Sequence, residues 1–504
     1  MNIKQAKTEI ANTLRAYLAK DAQGNYLIPT IRQRPVLLMG PPGVGKTQIM
    51  EQVAAEMRVG LVAYSITHHT RQSAVGLPFI ENRTYDGETH AVTLYTMSEI
   101  LASVYELMEK TGLRQGMLFL DEINCVSETL APMMLQFLQC KTFGNQALPE
   151  GWIIVAAGNP PEYNKSVRDF DVVTLDRVKR IDVEQDYGVW KEYALRKGLH
   201  GAVLSYLDIK KNNFYRVETT VDGLSFATAR GWEDLSELLI AYETLGIEAG
   251  REVIEQYIQF PSIAKDFANY LALYYKYART YHVEDILKGA WEPFTVTELR
   301  AAPFDEKLSV MGLVYARLAE EARAARKQDA LTAQLHASLT AVRNAIEGGA
   351  EPLSALREQL LLRQQATRQA KEAHWQDKES KGLSAAELQT LEGYLHALEK
   401  EAPADSDAMD MLRVLFSKQV EERSALSEQA GACLDHAFAF LEETFGDSQE
   451  MVIFVTEITA GYDTSWFVEN FGCDAYFRHN RELLFDDTSR RIREEISQAR
   501  RTAL

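Results

Sequence analysis

Residues 40–47 read GPPGVGKT, a match to G-x-x-x-x-G-K-[ST]. Gly40, Gly43 and Gly45 let the backbone turn tightly and aim successive N–H groups at an anion. Lys46 is expected to bring a positive charge to the β- and γ-phosphates, and Thr47 a hydroxyl to Mg²⁺. The flanks suit this reading. PVLLMG (35–40) is an apolar strand-like run, and TQIMEQVAAEM (47–57) has a helical period. A strand feeding a helix through a glycine loop also adds the partial positive charge of the helix N-terminus. The expected cofactor-binding set is Gly40, Pro41, Pro42, Gly43, Val44, Gly45, Lys46, Thr47 and Gln48.

Working outward, strand-like and helix-like segments alternate through the first 185 residues. LVAYSI (61–66), GMLFLDE (116–122) and GWIIVAAGN (151–159) read as buried strands, and SEILASVYELMEKTG (98–112) as a helix with a glycine stop. This order predicts an α/β fold with a parallel sheet covered on both faces. Between 76 and 96, Asp86-Gly87 separates two alternating stretches and predicts a β-hairpin. Phe79, Tyr85 and Tyr95 are its aromatic candidates for substrate contact, with core packing of Phe79 the alternative. Beyond about 186 the pattern turns helical. Leu331, Leu335, Leu339, Val342 and Ile346 form one stripe, and EGGAEP (347–352) breaks it before a second helical run at 353–375. Two such helices predict an antiparallel hairpin or short coiled coil, with separate bundle helices as the alternative.

MLFLDEIN (117–124) ends an apolar run in two acids. Asp121 is expected to hold Mg²⁺, directly or through water, and Glu122 to orient or deprotonate an attacking water. IIVAAGNP (153–160) ends at Asn159. Should that strand lie between the other two, Asn159 reaches the γ-phosphate region; the alternative is a turn-forming Asn-Pro.

GPPGVGKT, LFLDEIN, AAGNP, LDRVKR (175–180) and SFATARGWEDLSELL (225–239), in this order, resemble an AAA+ ATPase, and most closely the MoxR-like, dynein-related branch. The resemblance spans roughly 30 to 245. It implies ATP and Mg²⁺ as cofactors, ATP hydrolysis as the activity, and a ring, usually a hexamer. LDR would place an arginine finger for the neighbouring subunit on Arg177. MoxR-like relatives follow LDR with an aromatic where this chain has Val178, so Arg180 stays open as the competitor. Arg230 matches the second sensor at the start of a lid helix. The implied layout is an αβα nucleotide-binding domain at 1–185, a helical lid at 186–300, a long helical hairpin at 301–402 and a mostly helical domain at 403–504. MoxR-like relatives also imply a chaperone-like role on a client protein, such as one with a von Willebrand factor A-type domain. The alternative is an AAA+ motor acting on nucleic acid, of the restriction or replication type.

The composition weighs on that choice. The 504 residues carry a formal net charge of -18, which opposes a protein whose main task is neutralising phosphate backbones. Cys125, Cys140, Cys433 and Cys473 show no zinc spacing, and His68-His69 lacks a third ligand nearby. The N-terminal stretch is amphipathic without an apolar signal region, and no apolar run reaches the ~18 residues of a membrane helix. A cytoplasmic protein is expected.

Overall fold

The computed structural model describes residues 1–68, 76–143, 146–163, 167, 170–220, 223–401 and 405–481. The chain divides into two compact units. One comprises Met1–Val189 with Leu361–Ser384; the other comprises Trp190–Leu360 and the residues from Ala385 onward.

The first unit is built on β1 (Val36–Met39), β2 (Gly60–Ser65), β3 (Pro78–Tyr85), β4 (Glu88–Tyr95), β5 (Gly116–Asp121), β6 (Thr142–Phe143), β7 (Gln146–Ala147), β8 (Trp152–Gly158) and β9 (Lys179–Asp182). Five of these form a parallel sheet in the order β2-β5-β8-β1-β9. Its central strands are apolar without interruption because both faces are covered. Leu37, Leu118, Leu120, Ile154 and Ala156 enter one core cluster. Val36, Leu38, Met117, Phe119, Ile153 and Val155 point to the other face and enter a second. Thus β8 does lie between β1 and β5, the condition on which the role of Asn159 rested.

The hairpin forms as predicted. β3 pairs antiparallel with β4 from Pro78–Tyr95 to Tyr85–Glu88. Asp86 (φ 52°) and Gly87 (φ 85°) make its two-residue turn in the left-handed region, the conformation such turns require. Phe79 does not enter the core: it is 45% exposed, and Ile80 is 75% exposed. Tyr95 instead packs against the core.

Residues 361–384 belong to the first unit through contacts of their own. The Trp375 indole donates to the carbonyl of Val59 at 2.8 Å, and the Gln369 amide donates to that of Thr111 at 3.3 Å.

The second unit is mostly helical, with a small ribbon of β10 (Arg216–Thr220) and β11 (Gly223–Ala227). Tyr206, Trp232 and Phe267 stack edge-on and tilted at 5.1–5.7 Å. The stripe on the 44-residue helix Phe304–Glu347 meets Leu356 and Leu360 of the helix Pro352–Glu372 in one apolar cluster. The turn at Gly348-Gly349 joins these two helices, and the long helix Phe304–Glu347 packs along the helix Asp405–Phe445. Leu412 of the helix Asp405–Phe445 joins the same cluster. Arg323 and Arg326 both donate to the buried carboxylate of Asp463, at 2.8 and 2.7 Å. No helix among the described residues is long and apolar enough to cross a membrane.

Candidate nucleotide-hydrolysis site

The site lies at the C-terminal ends of β1, β5 and β8. That is where open parallel sheets place ligands, because helix N-termini and loops converge there. After β1 the chain turns through Gly43 (φ 77°) and Gly45 (φ 88°), and Gly45 caps the helix Lys46–Met57. Gly40 has no room for a side chain, since a Cβ there would sit 2.7 Å from the carbonyl oxygen of Val183.

Lys46 is only 8% exposed. Its ammonium donates to the carbonyls of Gly40 and Pro41 at 2.7 and 2.9 Å, and to Asn159 Oδ1 at 2.8 Å. The loop lysine is thus fixed at one position and tied to the end of β8. The Thr47 hydroxyl donates to Asp121 Oδ2 at 3.1 Å, which joins the loop to the end of β5.

Glu122 follows with φ 57°, a conformation that costs a non-glycine residue about 1–3 kcal/mol. Its surroundings impose it. Glu122 N–H donates to Asp121 Oδ1, Ile123 N–H to the Ala157 carbonyl, and Cys125 N–H to the Glu122 carbonyl, each at 2.9 Å. The carboxylate is anchored by the hydroxyls of Thr67 (3.0 Å) and Ser65 (3.3 Å), both donating to Oε2. Backbone strain held in place by so many partners points to a working residue.

Three contributors were absent from the sequence reading: Ser65, Thr67 and Asn124. Asn124 is buried. Its amide donates to the Asn159 carbonyl at 2.8 Å, and its Oδ1 accepts from Asn159 N–H at 3.3 Å. The signal was the Asn two places after Glu122 in LFLDEIN, but its partner lies 35 residues away.

Hard oxygen donors from Thr47 and Asp121 suit Mg²⁺, which binds through few protein ligands together with substrate phosphates. Among the described residues no group of three or more His, Cys, Asp or Glu is arranged to hold a metal. His69 lies outside the described residues.

The two arginine candidates differ. Arg180, on β9, is exposed but held by Asp182 at 2.8 Å. Arg177 is exposed and donates to the neutral side chain of Gln139. Asp171 caps the short helix Val172–Leu175; bonds from the Thr174 side chain and backbone hold its carboxyl below the usual carboxylate range, and the charge of Arg177 adds to the effect. Val178 is buried in the core, and Lys179 pairs with Glu9 at 2.6 Å. Arg230 lies in the second unit, exposed in the first turn of the helix Ala229–Leu245, which Thr228 caps.

Residues 36–174 match the family model described as ATPase family associated with various cellular activities (AAA). No curated protein matches the chain. Among solved structures, the chain is similar to a proposed ATPase from Cytophaga hutchinsonii ATCC 33406 at 16% identity and TM-score 0.22, over 36% of this chain and 51% of that one. This chain therefore spans about half of that protein's length. It is also similar to the FIGL-1 AAA domain in complex with ADP, at 15% identity and TM-score 0.26, over 47% and 69% of the two chains. A third likeness is to C. elegans PCH-2, at 14% identity and TM-score 0.24, over 42% and 48%.

Proposed function

From the match of residues 36–174 to the AAA ATPase family model, we propose an enzyme that hydrolyses ATP with Mg²⁺ and uses the cycle to remodel or assemble a partner protein. One observation carries the reading. Thr47–Asp121 and Lys46–Asn159 hydrogen bonds join the phosphate loop to the ends of β5 and β8.

Backbone N–H groups of Gly43, Val44 and Gly45 and the Lys46 ammonium bind the phosphates. Thr47 and Asp121 would hold Mg²⁺, which when bound neutralises charge developing on the phosphate oxygens. Glu122 orients the attacking water and takes its proton, and Thr67 and Ser65 keep its carboxylate in place. Asn159 positions the same water, with Asn124 fixing its backbone. In a ring, Arg177 of one subunit reaches the γ-phosphate held by its neighbour. Arg180 is the weaker candidate because Asp182 already occupies it. Residues 186–300 are read as the lid and Arg230 as its γ-phosphate contact.

The MoxR-like assignment, the hexamer and a client with a von Willebrand factor A-type domain rest on motif resemblance. A nucleic-acid motor is the second reading, opposed by the net charge of -18. Phosphate release with and without DNA separates the two. Turnover that requires Mg²⁺ and is indifferent to DNA at physiological salt supports remodelling, while strong stimulation by DNA would sink it.

A further inference from the structure

The sheet has a second charged edge. Arg58 comes two residues before β2, Arg114 and Gln115 immediately before β5, and Glu150 two residues before β8. Because β2, β5 and β8 are parallel neighbours, these residues gather at their N-terminal ends, the edge opposite the phosphate loop. With Lys20, Tyr26 and Leu113 they line an open cavity of about 400 Å³.

The lining is built rather than incidental. Lys20 and Tyr26 are joined by an antiparallel bridge. The Lys20 ammonium lies over the Tyr26 ring, 4.7 Å from its centre. Gly151 (φ 87°) backs the cavity. A Cβ there would sit 2.8 Å from the Arg114 carbonyl and 3.0 Å from the Tyr26 hydroxyl, so only glycine permits this approach.

Charge supplies the second argument. Three cations face the cavity against the single carboxylate of Glu150. None of Lys20, Arg58 and Arg114 has an ion-pair partner among the described residues, whereas lysines such as Lys7, Lys179 and Lys191 are paired with carboxylates. In a protein of net charge -18, cations left together without carboxylates repel one another and hold a locally positive potential. Two guanidinium forks and an ammonium suit phosphate oxygens, which they bind through charge-assisted, bidentate hydrogen bonds.

We propose that this cavity binds a small molecule carrying two or more phosphate groups, at a site separate from the phosphate loop. Its volume accepts a ligand of nucleotide size. The inference does not depend on the hydrolytic reading.

The test is calorimetric titration of pyrophosphate into the full chain carrying Lys46→Ala, which weakens the phosphate loop's hold on anions. One site per chain is expected, weakening as salt rises. Arg58→Ala with Arg114→Ala should weaken it at least about tenfold, and Arg58→Lys with Arg114→Lys, which keeps the charge but loses the forks, should recover only part of that loss. Lys20→Glu, at an exposed position, gives the same test should the double variant fold poorly. Absence of binding to the Lys46→Ala chain in low salt would overturn the proposal. So would affinity unchanged by the arginine or Lys20 substitutions. A single-stranded oligonucleotide that binds more tightly than pyrophosphate and loses affinity with the same variants would also overturn it, by making the site a nucleic-acid contact.

Discussion

The two edges of the parallel sheet handle charge in opposite ways. At the C-terminal edge, Lys46 is buried and has three oxygen acceptors, and Asp121 already accepts from Thr47 and from the backbone. At the N-terminal edge, Lys20, Arg58 and Arg114 stand exposed around one cavity without carboxylate partners. The first edge is held rigid: on the proposed hydrolytic reading its groups already stand where charge would develop, so little reorganisation would remain for the reaction. The second can attract an anion but has no hydrolytic acid paired with a strained backbone. The difference teaches that cation content alone does not distinguish the two edges; connection between elements does.

Breaking the preorganised edge should have the largest effect. Lys46→Ala should cut turnover by about 10³-fold or more, because phosphoryl transfer depends almost wholly on positioning and electrostatic stabilisation. Arg177→Ala should lower turnover by about 10³-fold while nucleotide binding persists, and Arg180→Ala should stay near wild type. Steady-state kinetics beside equilibrium nucleotide binding checks both, and equal effects of the two arginines would remove the distinction drawn from Asp182.

Asn124→Ala should act less strongly. It leaves the Asn159 N–H and carbonyl without their partners, costing about 1–3 kcal/mol of stability and roughly tenfold to a hundredfold in kcat. Thermal melting and a kcat-against-KM split test it, and a loss confined to stability would reduce Asn124 to a structural role.

The smallest effect concerns a buried cation that reaches the loop before β1. Lys141 donates to the Thr30 carbonyl at 3.0 Å, and burial lowers its pKa from 10.5 to about 8. Between those values the unfolded chain keeps a proton that the folded chain has released. Stability attributable to this residue should therefore rise as pH goes from about 8 to 10.5, by at most about 3 kcal/mol. Denaturant unfolding across that range should show Lys141→Met flattening the rise. Identical profiles for the two chains would contradict the assignment.

Sequence legibility followed the same division. The phosphate loop, the strands ending at Asp121 and Asn159, and the Asp86-Gly87 hairpin were readable because glycine geometry, apolar runs and turn chemistry are local. The helix break at Gly348-Gly349 was readable for the same reason, as the Leu335 and Val342 stripe ends there. Asn124 was missed because its partner is set by the adjacency of β5 and β8, which no short window contains. Exposure of Phe79 was also hidden, since alternation gives a ribbon two faces but does not say whether either is covered. Lys20, Arg58 and Arg114 are far apart in the sequence, and only the fold brings them to one edge of the sheet. The docking of Trp375 on Val59 spans 316 residues, beyond any periodicity argument.

The central claim is that Glu122 acts on water at a site whose nucleotide-binding half is independent of it. The most direct measurement is phosphate release and ATP binding on the same preparations of wild type and Glu122→Gln, with Mg²⁺ present. The account predicts comparable binding with turnover lowered by about 10²–10⁴-fold in the variant. Wild type turning over no faster than Glu122→Gln would contradict it.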